Sequence, residues 1–298
     1  MIKQFFSGGA VGEVYKDFKL AKVTSFKIGG EASLYATPRT IDELFNLIEQ
    51  AEENCVKYKI IGNGTNLVFS DEGFNGLVIS TKKLTELERF GERSFLVGAG
   101  VMLSTLTIRA LNEGLSGLEF AVGIPGTLGG AIVMNAGANG GDISSVVKSV
   151  TVLENGGIRV LEKEKLEFGY RSSYFLSHPT SIILFAELEL ISFNEKEIIE
   201  QRMKQNLERR LLTQPKEPSA GCVFKKVGEK SAGQLIEEAG LKGFKVGGAE
   251  VSLVHANFIV NTGSATTKDV LKLIKIIKTE VYKKFGVELE LEVEIIDR

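Results

Sequence analysis

The sequence predicts an α+β fold made of more than one domain. Apolar residues switch repeatedly between a strand's period of two and a helix's spacing of three and four. The middle of the chain is the richer in strand patterns, and two long helical patterns fall at 195–212 and 266–285. At 298 residues the chain also exceeds one typical domain of about 100–200 residues.

The elements follow in order. Residues 1–20 are mixed and suit a short helix. The stretch 26–38 reads as a strand with a turn at Gly29-Gly30. Over 40–53 Thr40 and Glu43 form a capping box, and Leu44, Leu47, Ile48 and Ala51 share one helical face. Short strands are expected at 58–61, 67–70 and 76–80, and a strand at 94–101 leads to a helix capped by Ser104. Residues 147–153 and 158–161 form a hairpin around Asn155-Gly156-Gly157, and 181–190 is a further strand. The 195–212 helix carries Ile199, Met203, Leu207 and Leu211 at spacing four, and Pro215 and Pro218 end it. Ser231 opens a helix that Gly240 closes, and 257–261 is a strand. Thr266 caps a helix with Val270, Ile274, Ile277, Val281 and Phe285 on one face. From 288 to 296 charged and apolar residues alternate as in a half-exposed strand.

Composition excludes several function classes. Lys and Arg number 36 against 38 Asp and Glu, a net charge of −2, so nothing marks a nucleic-acid-binding protein. Two cysteines make no disulfide framework, and two histidines without ligand spacing point to no metal site. The first residues lack the apolar core of a signal peptide, and no run of about 18 apolar residues exists. A cytoplasmic protein with no membrane span and no obligate protein partner is the expectation.

The stretch LEFAVGIPGTLGGAIVMNAGANGGD (118–142) is apolar, nearly uncharged and carries Gly123, Gly126, Gly129, Gly130, Gly137, Gly140 and Gly141. Each glycine costs a helix about 0.8–1 kcal/mol against alanine. What glycine offers is positive φ and a backbone that another surface can approach. Two readings stand: a backbone laid against a large flat ligand, or tight turns between buried strands. The loop Gly62-Asn63-Gly64-Thr65-Asn66 is either an anion-binding nest or a plain turn. It is not the Rossmann fingerprint, since Leu67 stands at the third glycine's place. Arg171, in Tyr170-Arg171-Ser172-Ser173, is a bidentate partner for a carboxylate or a surface arginine. Cys222 is a proton donor, with a thiol reference pKa of about 8.5, or a buried inert thiol. Glu288, Glu290, Glu292 and Glu294 form a solvated face from which one carboxylate could turn into a site.

Together these pieces resemble the UDP-N-acetylenolpyruvoylglucosamine reductases, flavoenzymes of bacterial peptidoglycan synthesis. The matching segments are SFKIGG (25–30), IIGNGTNLVFSDEGFNGLVIS (60–80), GAG (98–100), GLEFAVGIPGTLGGAIVMNAGANGGDI (117–143) and FGYRSSYF (168–175). They continue with QPKEPSAGCVFK (214–225), AGQLIEEAGLKG (232–243), VSLVHANFIVN (251–261) and FGVELELEVEI (285–295), in the family's order. The resemblance implies a two-subdomain FAD-binding unit of the vanillyl-alcohol-oxidase type, at 1–84 and 85–205. A C-terminal α+β substrate domain would follow at 206–298, with the last strand able to pack back on the FAD unit.

Non-covalent FAD is implied, its pyrophosphate on Gly62, Asn63, Gly64, Thr65 and Asn66. The flavin would lie along Gly123, Ile124, Pro125, Gly126, Gly129, Gly130, Asn135, Ala136 and Gly137. NADPH would be the reductant and a UDP-sugar enolpyruvyl ether the substrate. By similarity Arg171 and Glu292 stabilise the enolate-like state and Cys222 gives the proton. Tyr170, Lys225, Lys242 and His255 match positions near the substrate, and Arg209 and Arg210 are basic candidates for the UDP diphosphate. Two departures stand out: Cys222 replaces a serine, and Lys226 stands where some members carry an amide. The short segment after Arg171 matches the class that lacks a tyrosine-bearing loop. The competing activity is an FAD oxidase of the same superfamily; a nucleotide-binding module without catalysis is a third reading.

Overall fold

The computed structural model describes residues 11–192 and 195–297, which divide into two compact units. The first holds 36–63 and 79–210 with a few residues before Tyr15; the second holds 15–35, 64–78 and 211–297.

In the first unit, helix Ile41–Glu53 buries Leu44, Leu47, Ile48 and Ala51, the face the spacing predicts. The Thr40 hydroxyl accepts from the Glu43 N–H at 3.1 Å, but the Glu43 carboxylate takes the Arg39 N–H, one residue earlier than a capping box requires. Helix Leu103–Asn112 starts one residue before Ser104, with Met102 as its N-cap. Five antiparallel strands form the main sheet, in the order Gly157–Glu162, Val147–Glu154, Ile182–Glu189, Ser94–Gly98, Leu87–Phe90. The first two are a hairpin whose turn residues, Asn155 and Gly156, have φ of 53° and 72°. Two successive positive φ values match the right-handed strand twist, which is why Asn-Gly closes such hairpins. Phe95, Val97, Leu106, Leu128, Ile132, Val150, Val152, Ala186 and Leu188 fill the core beneath.

The second unit has a four-stranded antiparallel sheet in the order Ser219–Cys222, Phe258–Asn261, Ala249–Val251, Lys245–Val246. Helices Ala232–Glu238 and Thr267–Phe285 pack their apolar faces with it, through Leu235, Ile236, Leu273, Ile277 and Val281. Both begin with complete capping boxes, at Ser231 and Thr266. The Asp71 carboxylate accepts from the Thr267 and Lys268 N–H groups at 2.7 and 3.0 Å, which satisfies two donors that a helix N-terminus leaves over.

Three further expectations need correction. Residues 13–19 are a strand, Glu13–Lys19, where a helix was compatible; residues 1–10 lie outside the described residues. Ile199 and Met203 of helix Lys196–Thr213 are buried, but Leu207 and Leu211 are 39% and 61% exposed, so the apolar stripe is covered over its first half only. The 288–296 segment is a strand only at Glu294–Ile296. Its backbone changes partner midway. Lys225 N–H bonds Glu290 O and Glu292 N–H bonds Val223 O, after which Glu294–Ile296 runs parallel to Leu67–Phe69.

Candidate active site

The glycines of the 118–142 run fall into two kinds. Some are demanded by the protein itself. A Cβ on Gly129 would stand 3.0 Å from the Ala99 Cβ, and one on Gly137 would stand 2.7 Å from Gly141 O. Gly129 and Gly130 lie inside a short helix, Leu128–Val133, and at Gly129 the close approach to Ala99 outweighs glycine's poor helix propensity. Gly62 belongs with them, its Cβ position being 2.3 Å from the Thr127 hydroxyl.

Gly126 and Gly130 are different. A Cβ on Gly126 meets nothing nearer than 3.9 Å, and one on Gly130 only the Thr127 hydroxyl at 3.6 Å. Neither has a left-handed φ. Neither conformation nor packing therefore asks for glycine there. A bare backbone in this place suits a ligand laid against it. The Asn63 amide donates to Pro125 O at 2.6 Å and ties the first glycine loop to the second within this unit. Arg210 and Leu207 close over Gly123, whose Cβ position is 2.9 and 3.1 Å from them.

The Tyr170-Arg171 motif faces the same run. Arg171 donates to Asn135 O at 3.4 Å and to Gly137 O at 2.9 Å, and its guanidinium lies 5.5 Å from the Tyr170 ring centroid. Arg171 has φ of 50° and Asn135 φ of 41°, so both pivots sit in the left-handed region. Tyr174, just beyond, donates to the buried Glu154 carboxylate at 2.8 Å, and that hydrogen bond raises the phenol's pKa.

In the second unit, backbone bonds bring the two other expected catalytic positions together. Cys222 ends a strand whose neighbour Val223 accepts the Glu292 N–H at 2.8 Å. The Asn66 amide donates to Glu292 O at 3.0 Å, so Glu292 is held on both sides at the point where its segment changes partner. Of the four alternating glutamates, Glu292 alone is half-buried and the other three are exposed. Composition could not separate them, because burial here depends on which backbone pairs with 290–292. Asn257, absent from the sequence reading, is buried and bonds both Phe224 N–H and Phe224 O, at 3.0 and 2.8 Å. It continues the ladder beside Cys222 as a strand would. An asparagine inside the largely apolar VHANF segment was the available signal.

The expected substrate residues are spread between the units. Lys225 and Lys242 are partly buried and pair with Glu290 and Glu237 at 3.5 and 2.8 Å. Arg209 is exposed and Arg210 lies on the Gly123 loop. The His255 Nδ1 accepts the Asn257 N–H at 3.2 Å, and burial, with Lys242 nearby, pushes its pKa down. A lowered pKa means the unfolded chain binds more protons than the fold between that lowered value and about 6.5, so acidification through this window costs stability. Urea midpoints at pH 8 and pH 5.5 should show a larger acid loss for the wild type than for His255→Gln. Equal losses would mean that the ring titrates alike in both states.

A match to the UDP-N-acetylenolpyruvoylglucosamine reductase C-terminal domain covers residues 214–296, and one to an FAD binding domain covers 32–161. The Alkaliphilus oremlandii UDP-N-acetylenolpyruvoylglucosamine reductase is 46% identical over 95% of this chain and 93% of its own. The chain belongs to this reductase family. The Caldanaerobacter subterraneus reductase is 45% identical over 96% of this chain and 94% of its own. The crystal structure of the Thermus caldophilus reductase matches with a TM-score of 0.81 at 38% identity, covering 95% and 98% of the two chains. As a family member the protein is an oxidoreductase of α+β fold with FAD as cofactor. Both glycine loops lie in the FAD binding match and Cys222 and Glu292 in the reductase-specific one, while Arg171 falls between the two. No helix of the described residues is long and apolar enough to cross a membrane, and they contain no group of three or more His, Cys, Asp or Glu able to hold a metal.

Proposed function

We propose that the protein reduces UDP-N-acetylglucosamine enolpyruvate to UDP-N-acetylmuramate, with NADPH as reductant, in peptidoglycan precursor synthesis. The observation that supports the chemistry is the backbone bond between Glu292 and Val223, which sets the half-buried Glu292 beside the Cys222 strand. FAD, when bound non-covalently, supplies hydride drawn from NADPH to the vinyl methylene carbon. Residues 62–66 and 123–130, with Ala136 and Gly137, would hold it, and Gly126 and Gly130 present bare backbone to it. Arg171 and Glu292 act on the charge that develops at the neighbouring carbon and its carboxylate, as fixed dipoles and charges do in a dry site. The Cys222 thiol then gives its proton to that carbon, and a new C–H bond completes the lactyl ether. Tyr170, Arg209, Arg210, Lys225, Lys242 and His255 serve the UDP-sugar.

Purified protein should be yellow, release all its flavin on acid precipitation, and consume NADPH faster when the enolpyruvyl sugar is added. Rapid reoxidation by oxygen with no response to that sugar would instead mark an oxidase. Cys222→Ser should keep substantial turnover, because a hydroxyl can deliver the same proton. Cys222→Ala should lose most of the substrate half-reaction while reduction by NADPH survives. Full reoxidation rates in Cys222→Ala would assign the proton to another donor.

A further inference from the structure

Asn135 lies in the glycine run where the flavin is expected, yet its side chain is spent on the protein. It is 5% exposed. Its amide NH2 donates to Gly169 O at 2.9 Å, and its carbonyl accepts the Ser144 N–H at 3.1 Å. The Gly169–Ser172 turn it grips is closed by two backbone bonds, Gly169 N–H to Ser172 O and the reverse, at 3.0 and 3.2 Å. Arg171 sits within that turn and donates back to Asn135 O and Gly137 O. Ser173 adds a bond from its hydroxyl to Val133 O at 2.7 Å. Two segments more than thirty residues apart are thus laced in both directions, 133–137 to 169–173.

Both pivots occupy left-handed backbone, which is strained for arginine and tolerated by asparagine. An arginine held at positive φ needs its surroundings to over-determine the turn. Of these bonds, only the Asn135 amide reaches the turn's own backbone from the glycine run. We infer that Asn135 is a positioning residue: it fixes the turn that carries Arg171, and so sets where the guanidinium lies relative to the loop 133–137. The inference rests on the proposed role of Arg171 in the substrate half-reaction. It gives Asn135 a part in the second half-reaction in place of a contact to the cofactor.

The test uses Asn135→Gly, which keeps the left-handed backbone and removes the amide. Asn135→Asp serves beside it, keeping an acceptor for Ser144 N–H while turning an oxygen toward Gly169 O. If the glycine variant does not fold, the aspartate variant carries the test. Hydrogen exchange of the flavin-free protein should show lost protection at the Gly169 and Ser172 amides, with core amides such as Val150 unchanged. In the flavin-loaded variants, reduction by NADPH should be kept and reoxidation by the enolpyruvyl sugar should slow by about a hundredfold, the cost of a small misplacement of a reacting group. Added to Arg171→Ala, either variant should slow reoxidation no further, since both act through one side chain. Unchanged exchange at 169–172 overturns the inference. So does additive slowing in the double variant, or flavin lost from both variants, which would make Asn135 a cofactor contact. If Arg171→Ala alone leaves reoxidation intact, the catalytic reading of Arg171 falls, while the exchange data still decide whether Asn135 holds the turn.

Discussion

Replacing Arg171 by Ala, or Glu292 by Gln, should leave reduction of bound FAD by NADPH nearly intact. Reoxidation by the enolpyruvyl sugar should slow by about 100- to 1000-fold, the usual cost of removing one preorganised group that meets developing charge. The two half-reactions, followed separately by stopped-flow absorbance, decide the matter. Arg171 is bonded to the glycine run and Glu292 to the Cys222 strand, each within its own unit, so each substitution disturbs a separate local frame. Glu292→Gln keeps the shape and the backbone bonds from Asn66 and to Val223, which leaves charge and proton as the only change. Arg171→Ala also removes two bonds to loop carbonyls, so flavin content must be measured beside the rate. Equal losses in both half-reactions would make these residues structural.

Gly126→Val should give a folded protein that binds its flavin far more weakly. The nearest protein atom to a Cβ there is 3.9 Å away, and the backbone does not need positive φ, so the chain itself can take the branched side chain. The same volume stands where a bound ring system would lie against the loop, and overpacking of about 1–3 kcal/mol weakens binding about 10- to 100-fold. Gly129→Val is the contrast: Ala99 is 3.0 Å from its Cβ position, and this variant should lose melting temperature as well as flavin. Flavin titration and thermal unfolding of both proteins separate the cases. An unchanged FAD affinity in Gly126→Val would show that the flavin does not use this face.

Much of the architecture was legible because it is set locally. The buried face of Ile41–Glu53, the helix starts at Ser231 and Thr266, and the Asn155-Gly156 turn each depend on residues within a few positions of one another. Where local pattern failed, a distant partner decided. The glutamate alternation of 288–296 does have period two, but its backbone bonds to 223–225 and then to 66–69, so most of it cannot be one ladder strand. The stripe at Leu207 and Leu211 has helical spacing, yet its second half finds no core to bury it.

The sequence by itself determined the family, the FAD-binding character and the short set of residues able to carry charge or a proton. Those are matters of residue type and order, and motifs preserve both. Only the tertiary structure decided which glycines the protein needs for its own packing and which are bare. It gave Glu292, which the resemblance had singled out, a burial that its three alternating neighbours lack, and it turned the Asn135 amide toward the Arg171 turn. The physical reason is the same in each case: burial and hydrogen-bond geometry depend on the backbone that arrives from elsewhere in the chain, and no local window contains it.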